Sequence, residues 1–396
     1  MRTPLAAYTI LDLTNVLAGP FCGHQLAHMG ARVIKVETPD GGDLARQLGA
    51  DAELNARHMG VSFIAQNAGK ESIALDLKHA GAKAAFLALV ARADVLVENF
   101  RPGVMARLGL GYERLKQVNP DLVYCAISGF GQDGPNARAP AYDQIVQGMA
   151  GVMALTGSEE SGPLRAGFPV ADTVGGLTGA FAIAAALAAP RGERGVFIDV
   201  SMLESTLAAM GWAVSNWLVA GVQAQRVGNE NMTAAPSGAF RAADALLNIA
   251  ANKQEQFEAL LRAIGREDLL ADARFATREA RLAHRFELKA LIEERLAHKS
   301  AAQWVALLVE RGVPAGEVWE LPRVLDSAQV RARGFVERFA DVPGVGRAVS
   351  VASAGYKLDG EAQRVRTPPP QLGEHTARIL AEFGIDAAVL GNRRND

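Results

Sequence analysis

The sequence is poor in cysteine and has no excess of charge of either sign. Cys22 and Cys125, its two cysteines, cannot supply the disulfide framework of a secreted scaffold, so we expect a reducing compartment, the cytoplasm. The 41 basic and 43 acidic residues leave a formal net charge of −2. Nucleic-acid-binding proteins carry a basic excess or a basic stripe, and because neither occurs here we expect no nucleic-acid partner.

Long hydrophobic runs are scarce as well. Residues 1–14 lack the apolar core of a signal peptide and pass directly into strand-like sequence. The most apolar stretch spans residues 177–190, which is shorter than the roughly 20 residues that a membrane-spanning helix needs. We therefore expect a buried helix there and no membrane partner.

The first half of the chain alternates strand-like and helix-like segments. The predicted strands are residues 8–13, 32–37, 72–77, 94–98, 121–128 and 195–200. The predicted helices between them include residues 21–29, 81–91, 142–153 and 174–189. Apolar strands that alternate with helices of about ten or more residues predict an α/β fold, with a Rossmann-like parallel sheet covered on both faces.

The composition changes near Gln225. A loop rich in Asn, Ala, Pro and Gly at residues 228–240 leads into one strand-like stretch and then into charged helical segments. This change indicates a smaller α+β domain beside the large one. We predict a large domain at residues 1–224, a small domain at residues 225–325, and a linker with a C-terminal return to the large domain at residues 326–396.

Several familiar motifs are incomplete. Gly69-Lys70 resembles the end of a phosphate-binding P-loop, but Glu71 stands where a Ser or Thr should bind magnesium. The glycines of a nucleophile elbow are missing around Ser128, and only one glycine follows the first strand, where a dinucleotide-binding fingerprint needs three. His24 and His28 have the spacing of two metal ligands on one helix face, but no third ligand is evident, so we expect no metal site.

Asp172 is the carboxylate that the local sequence singles out. It lies in the segment GFPVADTVGG, residues 167–176, immediately before the predicted apolar helix. Asp is favoured there as an N-cap that accepts the first free amides of the helix. The same position suits a nucleophile, because helix-end amides hold a carboxylate ionised close to where negative charge develops on a substrate carbonyl. The small residues around it would let a bulky substrate approach, and the two interpretations are compatible.

A series of short motifs extends over essentially the whole chain. They are residues 11–14 (LDLT) with 16 and 18–20 (AGP), 30–31 (GA), 33–37 (VIKVE), 72–78 (SIALDLK), 97–103 (VENFRPG), 107–109 (RLG) and 370–376 (PQLGEHT). In number and order these motifs resemble those of the class III CoA-transferases. That family includes formyl-CoA transferase, succinate–hydroxymethylglutarate CoA-transferase and the α-methylacyl-CoA racemases.

The resemblance implies a fold, a partner and a site. It implies an interlocked homodimer of ring-like chains, with the N-terminal half and the C-terminal tail in one CoA-binding domain. It implies that Asp172 is catalytic, forming an aspartyl-CoA thioester, and that coenzyme A and acyl-CoA are substrates without a permanently bound cofactor. The positions that match the family's CoA contacts are Val16, Ala18, Leu75, Lys78, Asn99, Phe100, Arg107, Leu108 and Tyr142. Lys78 and Arg107 suit the nucleotide phosphates, and Phe100 offers an apolar surface.

Departures from the family pattern bear on the acids that are exchanged. Leu17, Thr38 and Pro140 replace a glutamine, an arginine and a lysine of formyl-CoA transferase, and its run of consecutive glycines is missing. These changes disfavour formyl or oxalyl transfer. Residues 148–157 and 312–314 are similar to the succinate–hydroxymethylglutarate branch, so we expect succinyl-CoA or another short dicarboxylyl-CoA as donor and a small carboxylic acid as acceptor.

Two other functions remain open. In the racemase branch a His and an Asp exchange the α-proton, and their positions correspond to Tyr142 and Asp172. A tyrosine with an ordinary pKa of about 10 is a poor base at neutral pH, which favours transfer over racemisation. A non-catalytic CoA-binding protein is the second alternative. Arg46, Arg138 and Arg165 could bind a distal substrate carboxylate, although for each of them individually we favour a place on the surface. Asp143 could orient the site or start a helix.

Overall fold

The computed structural model describes residues 2–390, which form two compact units. The first unit comprises Met1–Ala150, Ala166–Gly211 and Ser327–Asp396. The second comprises Gly151–Arg165 and Trp212–Asp326. The predicted small domain at residues 225–325 lies within the second unit, which contains two further stretches of chain.

The first unit contains a six-stranded parallel sheet in the order β3-β2-β1-β4-β5-β6. Its strands are β1 (Thr9–Asp12), β2 (Arg32–Glu37), β3 (Lys70–Ala74), β4 (Val95–Glu98), β5 (Val123–Ser128) and β6 (Val196–Ser201). This is the strand order of the doubly wound dinucleotide-binding fold. The predicted parallel α/β architecture is confirmed, although β3 begins two residues before its predicted start.

Hydrophobic layers cover both faces of this sheet. Successive residues of a strand point to opposite faces, and they enter different clusters: Val33 and Val95 pack in one, Ile34 and Leu96 in the other. All four side chains are at most 1% exposed. Strands buried on both faces explain the nearly continuous apolar runs in the sequence.

The helices and the remaining strands complete the two units. The helices are α1 (Ala18–His28), α2 (Ala52–Ala56), α3 (Val61–Asn67), α4 (Ala80–Val90), α5 (Val104–Arg107), α6 (Tyr112–Val118), α7 (Asp143–Met149), α8 (Val152–Leu155), α9 (Val170–Leu187), α10 (Met202–Ala209), α11 (Gly211–Ala220), α12 (Gln254–Ile264), α13 (Arg278–Ala283), α14 (Arg285–Leu296), α15 (Ala301–Glu310), α16 (Leu321–Leu325), α17 (Ala328–Arg333) and α18 (Thr376–Glu382). The other strands are β7 (Ser237–Arg241), β8 (Leu246–Ala250), β9 (Ala315–Glu317), β10 (Val336–Phe339), β11 (Val349–Ala352), β12 (Lys357–Leu358) and β13 (Glu361–Ala362). In the second unit β7, β8 and β9 form an antiparallel sheet that shares a core with α12, α14 and α15, a small α+β arrangement.

Two predicted helices differ from the observed ones. The helix predicted at residues 142–153 is two helices, α7 and α8, because Gly151 between them adopts a left-handed φ of 86°. The helix predicted from residue 174 begins at Val170, so α9 has 18 residues. Among the described residues α9 is long and apolar enough to cross a membrane by length and composition. The expectation that residues 177–190 form a helix too short for a membrane span is therefore wrong about its length. Buried α9 side chains such as Ile183 lie in the core of the first unit.

Candidate active site

The sheet changes winding direction between β1 and β4. From β1 the strands extend outward to β2 and β3, and from β4 they extend the other way to β5 and β6. In such sheets the carboxyl ends of the two central strands leave room for a ligand. The loops that follow β1 and β4, residues 13–17 and 99–103, meet there and are called the switch-point edge below. The Asn99 side chain joins them, accepting the N–H of Asn15 at 2.8 Å and donating to its carbonyl at 2.8 Å.

Most of the predicted CoA contacts lie along the carboxyl ends of the strands. Val16 and Ala18 follow β1, Asn99 and Phe100 follow β4, and Lys78 follows β3. The Lys78 side chain is exposed, as a ligand of solvent-facing phosphates must be. Phe100 packs its ring partly against the core, and its N–H donates to Glu98 at 2.8 Å.

Three further predicted contacts differ in accessibility. Arg107 is exposed at the end of α5, and Leu108 next to it is half-buried. Leu75 is only 2% exposed and packs in the core, so its side chain is not available to a ligand. Its N–H is already donated to the carbonyl of Glu37 at 2.8 Å. Only the backbone carbonyl of Leu75 therefore remains for binding.

Val16 has an unusual backbone conformation. Its φ is 68°, in the left-handed region that β-branched residues avoid. Such strain costs about 1–3 kcal/mol and persists only where surrounding contacts impose it. The Asp43 side chain contacts this residue, because its Oδ1 accepts the Val16 N–H at 2.9 Å.

Asp172 is not the cap of its helix. Pro169 occupies the N-cap position of α9, and Asp172 is the third residue of the helix. The capping acceptor is Asp143, whose Oδ1 accepts the N–H of Ala171 at 2.9 Å and of Asp172 at 3.3 Å. The sequence-based expectation that Asp172 is tied to helix amides is therefore wrong. The Asp172 carboxylate accepts no hydrogen bond from any residue that the structure describes.

The electrostatics of Asp172 follow from this geometry. Burial, first, and the negative charge of Asp143, second, raise the pKa of Asp172 from 3.8 to about 7. The side chain is half-buried, so it is accessible and not sealed in the core. A carboxylate of raised pKa without stabilising partners is typical of a functional group rather than a structural one.

Close helix packing brings the Asp172 face to the switch-point edge. Gly176 lies one turn after Asp172 on the same side of α9. A Cβ on Gly176 would stand 2.4 Å from the carbonyl oxygen of Ala18, so only glycine permits this approach. A Cβ on Gly179, a further turn along, would lie 3.0 Å from Ile127 Cδ1 and 3.3 Å from Cys22 Sγ, a tight but less severe contact. The glycines thus hold the start of α9 against the start of α1, where the predicted CoA contacts Val16 and Ala18 lie.

Two polar side chains of α7, Asp143 and Gln147, form hydrogen bonds with the segment that carries Asp172. Tyr142 is the N-cap of α7 and is 68% exposed. Next to it, Asp143 Oδ2 accepts Gln147 Nε2 at 2.7 Å, and Gln147 Oε1 accepts the N–H of Ala166 at 2.9 Å. Asp143 therefore has an orienting role in addition to its place in the first turn of α7. No local sequence signal identifies this role, because the cap lies 28 residues before its target.

The three arginines considered as ligands of a distal substrate carboxylate differ in burial and in location. Arg46 is fully buried and paired with Glu37 at 2.7 Å, so it is neither on the surface nor available to a substrate, and both expectations for it are wrong. Arg138 is exposed in the loop between β5 and α7. Arg165 belongs to the second unit.

His24 and His28 are buried with their Nε2 atoms 3.1 Å apart, and no group of three or more potential metal ligands occurs within residues 2–390.

Comparison with known proteins identifies the family of the chain. The family model described as CoA-transferase family III matches residues 5–376. The chain is 39% identical to the acetyl-CoA:oxalate CoA-transferase of Acetobacter aceti, over 98% of this chain and 97% of that protein. It is 37% identical to the succinate–glutarate CoA-transferase of Agrobacterium fabrum, over 96% of each chain. A CAIB/BAIF family protein from Brucella suis has the same fold, with a TM-score of 0.83, 35% identity, and coverage of 97% of this chain and 100% of that one. The chain belongs to CoA-transferase family III and is a CoA-transferase.

Proposed function

We propose that this enzyme moves coenzyme A from a short dicarboxylyl-CoA, such as succinyl-CoA, to a second small carboxylic acid, with Asp172 as nucleophile. The observation that carries the proposal is the position of the Asp172 carboxylate. It is half-buried, accepts no hydrogen bond from the described residues, and lies one turn before Gly176, where α9 packs closely against the Ala18 carbonyl. Asp143, rather than Asp172, accepts the hydrogen bond that caps α9.

The proposed reaction proceeds through two kinds of acyl intermediate. The Asp172 carboxylate attacks the thioester carbonyl of the donor, which forms a mixed anhydride and releases the CoA thiolate. The thiolate attacks the Asp172 carbonyl carbon, the donor acid leaves as a carboxylate, and an aspartyl-CoA thioester remains. The acceptor carboxylate attacks this thioester, giving a second anhydride and free thiolate. Attack of the thiolate on the acceptor's acyl carbon forms the new acyl-CoA and regenerates Asp172.

Residues of the chain contribute to this reaction in three ways. A raised pKa makes the ionised Asp172 more basic and hence a stronger nucleophile than an ordinary aspartate. Lys78 and Arg107 provide exposed positive charge for the nucleotide phosphates. The partly buried ring of Phe100 offers an apolar surface to the bound cofactor, and the small residues around Asp172 let a bulky acyl-thioester approach.

The relatives support dicarboxylic acids as a substrate class. One is named for succinate and glutarate, and another for acetyl-CoA and oxalate. Arg138, exposed in the loop before α7, has the charge required for a second carboxylate. The choice between oxalate and longer diacids depends on how far that charge lies from the reacting carbonyl.

A homodimer is part of the proposal. Helix α11 has no buried residue among its described positions, and it exposes Trp212 (78%), Trp217 (60%), Leu218 (76%) and Val219 (87%). Four large apolar side chains exposed within residues 212–219 are typical of an interface rather than of a monomer's outer face. A second copy of the chain is its expected partner, and sedimentation equilibrium measures this directly.

The test is an exchange assay with several acids. Wild-type enzyme is incubated with succinyl-CoA and, separately, glutarate, oxalate, mesaconate or acetate, and the CoA esters are followed by mass spectrometry. We expect transfer to at least one diacid, loss of transfer in Asp172→Asn, and hydroxylamine trapping of an acyl group on Asp172. Near-normal exchange by Asp172→Asn would contradict the mechanism. Parallel reactions in heavy water detect a racemase by deuterium at the α-carbon, and binding without exchange would indicate a non-catalytic protein.

A further inference from the structure

Buried charged side chains form hydrogen bonds with the backbone of the loop after β1. Lys35 on β2 donates to the Thr14 carbonyl at 2.6 Å and forms an ion pair with Asp43 at 2.9 Å. Both charged side chains are 0% exposed. Asp43 Oδ1 accepts two N–H groups at 2.9 Å, from Val16 and from Ala45. The Lys35–Asp43 ion pair thus binds the Thr14 carbonyl and the Val16 N–H, on either side of Asn15. Asn15 is the residue whose backbone is hydrogen-bonded to Asn99 in the loop after β4.

Neighbouring charges fix the pair itself. Asp12 at the end of β1 accepts the Thr14 N–H at 2.9 Å and is paired with Lys70 at 2.8 Å. The N–H of Asp43 donates to Glu37 at 3.0 Å, and Glu37 is held in turn by its arginine partner. Burial would lower the pKa of Lys35, but the charges of Asp12, Asp43 and Glu37 outweigh burial and raise it, so Lys35 stays charged. Buried charges that bind a loop backbone rather than only each other indicate a positioning role.

We propose that Lys35 and Asp43 are positioning residues that hold Val16 in its left-handed conformation and so keep the switch-point edge ready to bind coenzyme A. This inference rests on the proposed function, because it takes Val16 to be part of the CoA site. Without the Asp43 acceptor, a β-branched residue at φ 68° relaxes to a negative φ. The loop would then turn its backbone away from the ligand, and CoA binding would weaken although the fold persists.

A matched pair of double variants separates positioning from charge burial. Lys35→Met with Asp43→Asn removes both charges but keeps an oxygen acceptor facing the Val16 N–H. Lys35→Met with Asp43→Leu removes the same charges, has a side chain of similar size, and lacks the acceptor. We expect the Leu variant to bind CoA about tenfold more weakly than the Asn variant, because only the Leu variant lacks an acceptor for the Val16 N–H. Isothermal titration with CoA measures both.

Kinetics and hydrogen exchange give two independent measurements. In the Leu variant the KM for acyl-CoA should rise while kcat at saturation stays within about threefold, because CoA binding energy restores the loop. In the unliganded wild type, amide exchange in a peptide covering residues 13–20 should be slow, and this needs no variant to fold. Equal CoA affinity in two folded double variants, or fast exchange of this peptide, overturns the inference. If wild type binds CoA but transfers it to none of the tested diacids, the proposed function fails while the positioning inference stands.

Discussion

Replacing Asp172 by asparagine is expected to stabilise the protein while abolishing its activity. In the native state burial and the nearby Asp143 charge raise the pKa of Asp172 from 3.8 to about 7. The unfolded chain retains the ordinary pKa, so between about pH 4 and 7 it loses a proton that the native state keeps. Rising pH in this range therefore favours unfolding. Asparagine resembles the protonated acid and avoids the penalty.

The size of the effect follows from the shift. A rise from 3.8 to about 7 is roughly three pKa units, or about 4 kcal/mol at 1.36 kcal/mol per unit. Because Asp172 is half-buried, solvent screening reduces this, and we expect about 2 kcal/mol above pH 7. For a chain of this length that corresponds to a Tm increase of about 3 °C.

Thermal unfolding between pH 3.5 and 8.5 tests the reasoning, with wild type, Asp172→Asn and Asp341→Asn compared. The Tm advantage of Asp172→Asn should be absent below about pH 4, grow as the pH rises, and level off above about pH 7. Asp341 is exposed, so its variant serves as the control and should show no such growth. A lower Tm for Asp172→Asn at pH 8 would refute the argument, because it would mean that the carboxylate makes stabilising contacts in the native state.

Three further predictions concern the support of the site. Gly176→Ala places a methyl group 2.4 Å from a carbonyl oxygen and should cost about 1–3 kcal/mol of stability and weaken CoA binding, whereas Gly167→Ala meets nothing within 4 Å. Asp143→Ala should cost about 1 kcal/mol by uncapping α9. Asp143→Asn keeps an acceptor and should lower the acidic pKa of the pH–rate profile, since the charge beside Asp172 is gone. Arg107→Ala should raise the KM for acyl-CoA about tenfold, and that for a 3′-dephospho analogue less.

Each of these measurements has a clear contrary outcome. Equal melting temperatures for Gly176→Ala and Gly167→Ala would mean that α9 can move away from α1 without loss. An unchanged pH–rate profile in Asp143→Asn would assign the shifted pKa of Asp172 to burial alone. An identical rise in KM for CoA and its dephospho analogue would place Arg107 away from the 3′-phosphate.

Local pattern explains why the sheet could be predicted and its internal bonds could not. The second strand was expected at residues 32–37 and is observed at Arg32–Glu37, because apolar residues mark a strand wherever it lies in the sheet. The same strand carries Lys35, whose partners Thr14 and Asp43 come from loops on either side of it. Which loops meet depends on strand order, and periodicity along the chain does not contain that information.

The sequence by itself determined the alternation of strands and helices, the family, and the carboxylate at the start of an apolar helix. Only the tertiary structure decided that Asp143 caps this helix, that Asp172 has a raised pKa and accepts no hydrogen bond within residues 2–390, and that Arg46 is committed to an internal ion pair. The physical reason is distance along the chain. Hydrophobic period and cap preference act over one or two turns, whereas a hydrogen bond between residues 28 apart, or a desolvated charge, exists only once the chain has folded.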